Sequence, residues 1–226
     1  MIVNSRSQLL IVNPNANVQV TEWLAQEARR VIDQNWEIVA VNAESGLDAI
    51  ETPAHLNVAS AAVVAAVRAR PGASGVVIAA FGDPGLEAAR ALGAAPIVGL
   101  GEAGIHAAAE RGRRFSILTM GEAMKAPIAR RVAQLGFAEQ LASIRILPFR
   151  IAQFVANREA ERATVAAQAR LCLEIDEADV VLLAGAPFAG LAHVLGLELG
   201  LSLLDGVAAS LARLTGGSLA PVNGVA

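Results

Sequence analysis

The sequence predicts an α/β protein: two Rossmann-like lobes, each a parallel sheet flanked by helices, with a ligand site in the cleft between them. Short apolar runs alternate with longer amphipathic ones along the whole chain. Two of those runs end in comparable small-residue turns, Ala79-Ala80-Phe81-Gly82-Asp83-Pro84-Gly85 and Ala184-Gly185-Ala186-Pro187-Phe188-Ala189-Gly190. Each turn leads into a helix-like stretch, which is how such folds present backbone N–H groups to a ligand at the C-terminal end of a strand.

Taken in order, Leu9–Val12 is a buried strand closed by Asn13-Pro14-Asn15, and residues 21–32 form a helix with Thr21 as its cap. Trp36–Val41 is the second strand, Val58–Ala69 a helix closed by Pro71-Gly72, and Gly75–Ala79 the third strand. Asp83-Pro84 then opens a helix, with Asp at the cap and Pro in the first turn. The alternation repeats. Strands are expected at Ile97–Leu100, Phe115–Thr119, Ser143–Leu147 and Asp179–Leu183. Helices are expected from Glu102, over Glu122–Leu135, over Arg158–Ile175 and over Val207–Leu214. Residues 1–98 are assigned to the first lobe and 99–205 to the second, with 206–226 packing back on the first. The tail from Ser218 is expected to fray.

With 226 residues the chain can bury a large core, and 54% of it is hydrophobic with 4% aromatic and no Tyr. Small aliphatic residues therefore build that core. A net charge of −3 offers no basic face for nucleic acid or an anionic membrane. The mean hydropathy is positive, +0.49. The longest uncharged run, Val180–Leu197, is broken by Gly185, Pro187, Gly190 and Gly196, so it predicts strand, turn and helix rather than a membrane span. Met1–Arg6 lacks the order of a signal peptide, and the single cysteine, Cys172, forms no internal disulfide. Both point to a cytoplasmic protein. Apolar helices fit a homo-oligomer.

Candidate chemistry clusters at the strand ends. Asn13 and Asn15 offer amides to a polar ligand, or serve an Asx-type turn. Asp83 is a candidate base, or a helix cap. Glu102 and His106, four apart on one helix face, form either an acid–base pair or a surface or lobe-interface pair. Thr119 binds a ligand oxygen or caps the next helix, and Phe81, Gly82, Gly185, Ala186 and Phe188 complete the candidate binding set. His193 is expected to be packed or at an interface. Cys172 shares a helical stripe with Val165 and Ala169, which favours a buried, inert thiol over a nucleophile. No phosphate loop, dinucleotide fingerprint or metal-ligand spacing is present, so neither a cofactor nor a metal is expected.

Several of these segments together resemble the hydantoin and allantoin racemase branch of the aspartate/glutamate racemase superfamily. They are Leu10–Asn15, Phe81-Gly82-Asp83-Pro84-Gly85-Leu86, Arg113–Thr119, Ala184–Leu191 and Asp205-Gly206-Val207. The resemblance implies two lobes around a small carboxylate, amide or cyclic ureide, and cofactor-independent racemisation by two cysteines, one per lobe. In this chain Ala80 and Gly185 occupy those cysteine positions, so Asp83, Glu102 and His106 are the nearby substitutes. The expected function is a racemase- or isomerase-like protein acting on a hydantoin, allantoin or amino acid. A lyase or hydrolase with altered catalytic groups, a non-catalytic ligand-binding relative, and a protein acting through its oligomer surface are the competing readings.

Overall fold

The structure is a computed structural model that describes residues 6–217. It contains two four-stranded parallel sheets of identical strand order. The first is built from β1 (Ser7–Asn13), β2 (Trp36–Asn42), β3 (Gly75–Ile78) and β4 (Ile97–Gly99), in the order β2-β1-β3-β4. The second is built from β5 (Phe115–Thr119), β6 (Leu141–Ile146), β7 (Val180–Leu183) and β8 (Leu203–Asp205), in the order β6-β5-β7-β8. In each sheet the chain steps one way from its first strand and returns past it on the other side. That leaves a crevice at the C-terminal ends of the two central strands.

Alternation along the strands divides the core into three. Leu10 and Val12 of β1 point outward with Val76 and Ile78 of β3, under α2 (Pro53–Arg68) and α3 (Leu86–Arg90). Val181 and Leu183 of β7 point to the opposite outer layer, with Phe154 of α6 (Ile151–Ala156) and Cys172 of α7 (Arg162–Glu174). Leu9, Ile11, Val77, Phe115, Ile117, Val180 and Leu182 all belong to one shared inner core. The helices α1 (Val18–Val31), α4 (Leu100–Arg111), α5 (Lys125–Gln134) and α9 (Gly206–Thr215) contribute to the same inner core.

The two halves exchange their last helices. Helix α4 follows the first sheet but packs on β7 and β8 of the second; α9 follows the second sheet but packs on β3 and β4 of the first. The two helices also pack on each other, and glycines permit the approach. A Cβ on Gly104 would stand 3.4 Å from the Cα of Gly206, and one on Gly206 only 2.8 Å from the Leu100 carbonyl oxygen.

Several element boundaries differ from the sequence expectation. Helix α1 starts earlier: Asn17 is its cap, accepting from the Val20 N–H, while Thr21 is buried inside the first turn. Helix α2 starts at Pro53, with Thr52 accepting from the His55 N–H. The stretch expected as one helix over Arg158–Ile175 begins only at Arg162, and α6 precedes it as a separate short helix. The helix expected from Asp83-Pro84 begins at Leu86 behind a left-handed Gly85. The remaining helix, α8 (Leu191–Leu199), packs beside β8. The tail from Ser218 lies outside the described residues, and among the described residues no helix is long and apolar enough to cross a membrane.

The helix exchange carries a direct prediction. Gly206→Ala drives a methyl group into the Leu100 backbone and should cost about 1–3 kcal/mol in urea unfolding. Gly72→Ala meets nothing within 4 Å and should change stability by no more than about 0.5 kcal/mol.

Candidate active site

A small cavity of about 60 Å³ lies where the two sheets turn their strand ends toward each other. Ala79, Ala80, Phe81 and Gly82, which follow β3, form one wall; Ala184, Gly185, Ala186 and Pro187, which follow β7, form another. Asn15, after β1, and Thr119 with Met120, at the end of β5, stand between them. Because the sheets share one strand order, these are the same two crevice positions in each half. Ile50, Met124, Ile128 and Ile151 complete an apolar side.

The polar groups of this cavity are neutral. Asn15 uses its side-chain oxygen to accept from the Asn17 N–H, and its carbonyl accepts from the Asn42 amide. The Thr119 hydroxyl donates to the Ala184 carbonyl at 2.9 Å, tying β5 to the turn after β7 and leaving its oxygen free to accept. The backbone N–H groups of Phe81, Gly82 and Gly185 have no partner among the described residues. Gly185 adopts φ +149°, a conformation that L side chains rarely take. Among the described residues the lining includes no ionisable side chain.

The candidate set is therefore divided. Ala80, Phe81, Gly82, Thr119, Gly185, Ala186 and Asn15 meet at the cavity. Asn13 does not line it: it is buried, its amide donating to the Asn17 carbonyl and the Thr21 hydroxyl, its side-chain oxygen accepting from the Asn15 N–H. That is the Asx-turn role, shaping the loop that presents Asn15. Phe188 does not line it either. Its ring lies 5.1 Å from that of Phe154 in the outer core, because the short 3-10 turn after Gly185 rotates it away.

The three substitute acid–base candidates lie away from the cavity. Asp83 is a cap, though of a different helix from the one expected. Its carboxylate accepts from the N–H groups of Gly101 and Glu102, both at 2.7 Å, at the start of α4. Burial pushes its pKa up to about 7, opposed by those two hydrogen bonds. Glu102 is gripped by Arg90 at 3.1 Å and Arg131 at 2.9 Å. Burial raises its pKa, but the two arginines outweigh that and hold it below the usual carboxylate range. His106 packs edge-on against Phe137, at 5.1 Å, and burial lowers its pKa.

Cys172 is fully buried, and burial, with Asp176 nearby, pushes its thiol up to about 11. His193 is partly exposed and lines a separate surface cleft with Trp23 and Arg158. The sequence reading missed the apolar side of the cavity and a second buried cap. Asp205 accepts from the N–H groups of Val207 and Ala208 at 3.0 Å, and from that of Gly190. Its place after a strand and before a helix, like that of Asp83 before α4, was the available signal.

Residues 9–214 match the family model described as Asp/Glu/Hydantoin racemase, and the chain belongs to that family. It is 31% identical over 207 residues to a hydantoin racemase of Paenarthrobacter aurescens, covering 90% of this chain and 87% of that protein. It is 29% identical over 204 residues to one from Pseudomonas sp. (strain NS671), covering 89% and 82%. Among solved structures it is similar to the allantoin racemase from Klebsiella pneumoniae, with a TM-score of 0.87 and 29% identity over 95% of this chain and 90% of that one.

The Asp83 environment sets a pH dependence. The folded state holds this proton up to about pH 7, whereas the unfolded chain releases it near the ordinary value of 3.8. The folded form thus binds more protons in between, and its stability falls as pH rises from about 4 to about 7. Asp83→Asn should flatten that slope relative to the parent chain, measured by urea midpoints across the window.

Proposed function

We propose that the cavity binds a small amino-acid derivative (a hydantoin, an allantoin-like ureide or an amino acid) in a racemase-like, cofactor-independent site whose two-cysteine acid/base pair is absent. The observation that carries this reading is the pairing of Ala80 and Gly185 on opposite walls of one cavity that no ionisable side chain lines. Two-base racemisation needs a proton acceptor on one face of a planar carbanion and a donor on the other. A methyl group and a hydrogen atom supply neither. Losing a single acid–base group costs about 100- to 10,000-fold in rate, so losing both removes the thiol route.

What is retained is the means of holding a carbonyl or carboxylate. The unpaired N–H groups of Phe81, Gly82 and Gly185, with the Thr119 oxygen and the Asn15 amide, supply neutral donors and acceptors. A non-catalytic relative that binds its ligand without turning it over is the alternative reading, which one experiment separates from the first. A cytoplasmic location and self-association are part of the proposal and rest on composition.

Proton exchange at the stereocentre in deuterated water, followed by NMR with binding measured in parallel, tests both. The panel is allantoin, 5-substituted hydantoins, aspartate and glutamate. Binding with exchange near the uncatalysed rate is expected for the parent chain. Ala80→Cys combined with Gly185→Cys should raise exchange by about 100-fold or more. The Gly185 substitution should also lower stability by about 1–3 kcal/mol through its backbone conformation. Rapid exchange by the parent chain would establish an isomerase that works without thiols. Absence of binding across the panel would overturn the proposal.

A further inference from the structure

We propose that residues 43–52 form a strap over the cavity and that Glu51 is its clasp, a positioning residue whose carboxylate holds the strap against the second half of the molecule. This rests on the cavity being the ligand site, as proposed above, for its functional meaning; the geometry stands independently.

The segment between β2 and α2 has neither helix nor strand. Its first part is bound to the turn after β1. The Ala43 N–H donates to the Asn13 carbonyl at 2.8 Å, the Ser45 hydroxyl to the Pro14 carbonyl at 2.7 Å, and the Ala16 N–H to the Leu47 carbonyl at 2.7 Å. Beyond Leu47 the segment crosses to the other half. There the Glu51 carboxylate accepts from Arg150 Nη2 at 2.7 Å and from the Ile151 backbone N–H at 3.2 Å. The neighbours of this junction, Ile50 before Glu51 and Ile151 itself, both line the cavity. The clasp thus brings two apolar side chains, one from each half, to the same opening.

The two bonds are unequal. The Arg150 side chain is 83% exposed, so its ion pair is screened by water and contributes little. The Glu51 side chain is 14% exposed, and its bond to a backbone N–H is charge-assisted and better protected. The halves are also joined away from the cavity. Arg158 stacks 4.3 Å from the ring centroid of Trp23 on α1 and donates to the Ala189 carbonyl at 2.5 Å. That contact lies at a separate surface cleft, away from the cavity. The strap, carrying no ladder of its own, is the edge that opens.

Access to the cavity can be measured without any ligand, so this proposal and the function proposed above fail separately. Ala80→Cys places a thiol in the cavity wall, while buried Cys172 serves as the unreactive internal reference. Alkylation by iodoacetamide, at one pH and read by mass spectrometry, should be slow in A80C. It should be about 5- to 30-fold faster when Glu51→Ala is added. Glu51→Gln should fall between, because its amide oxygen can still accept from Ile151. Glu159→Gln, which removes a surface pair with Arg162, should leave the rate unchanged. Equal rates in A80C with and without E51A would overturn the proposal, as would A80C reacting as fast as cysteine in an unstructured peptide.

A second measurement needs no cavity variant. Amide hydrogen exchange at Ile151 should accelerate in E51A while the central strands stay protected. Faster exchange throughout both sheets would overturn the proposal, since Glu51 would then hold the fold rather than the strap.

Discussion

The reciprocal exchange of α4 and α9 is the constraint on which the rest of the molecule depends. Each helix leaves the sheet that precedes it and covers a face of the other, so neither half completes its inner core alone. The helices meet through Gly104 and Gly206; a Cβ on Gly206 would press on the Leu100 carbonyl at 2.8 Å, and one on Gly104 would come within 3.1 Å of the Leu182 side chain. The exchange is anchored because each helix begins on a buried carboxylate, Asp83 for α4 and Asp205 for α9. The same carboxylates reach the turns after β3 and β7. Asp83 lies within the turn after β3, and Asp205 also accepts from Gly190 in the turn after β7. The site walls are thus set by the contacts that hold the two halves together.

This arrangement separates charge from the cavity. Three carboxylates around the cavity have structural partners: Asp83 at a helix start, Glu102 between Arg90 and Arg131, and Glu51 at the junction with Arg150. The cavity keeps amide, hydroxyl and backbone groups against an apolar side of Ile and Met. Among the described residues, its lining offers neutral hydrogen-bonding groups and no ionisable side chain.

Much of this architecture was legible in the sequence because buried parallel strands appear as apolar runs such as Leu9–Val12 and Val180–Leu183, and small-residue turns mark their ligand ends. The turns that hold Ala80 and Gly185 were legible as small-residue stretches after those strands, whereas their correspondence to the family's cysteine positions is implied only by the resemblance. What sequence could not supply was the destination of each side chain. Asp83 followed by Pro84 has the local signature of a cap for its own helix; only the fold shows that the helix it caps begins at Leu100, after an intervening strand. Phe188 and Ala186 are two residues apart, yet a single turn of 3-10 geometry sends one into the outer core and leaves the other at the cavity. Long-range packing decides both, and local pattern does not encode it.

The conformation at Gly185 gives the two walls different evolutionary freedom. At position 80 the resident methyl group already carries a Cβ toward the cavity side of the fold, so a larger residue can arrive or depart by ordinary single substitutions. At position 185 the backbone has settled into a glycine-only geometry, and the neighbouring Pro187 and Phe188 are packed around it. A side chain placed there meets Pro187 and Phe188 at ordinary contact distance but strains the backbone, which makes that wall the costlier one to remodel and leaves the opposite side the freer place for new chemistry.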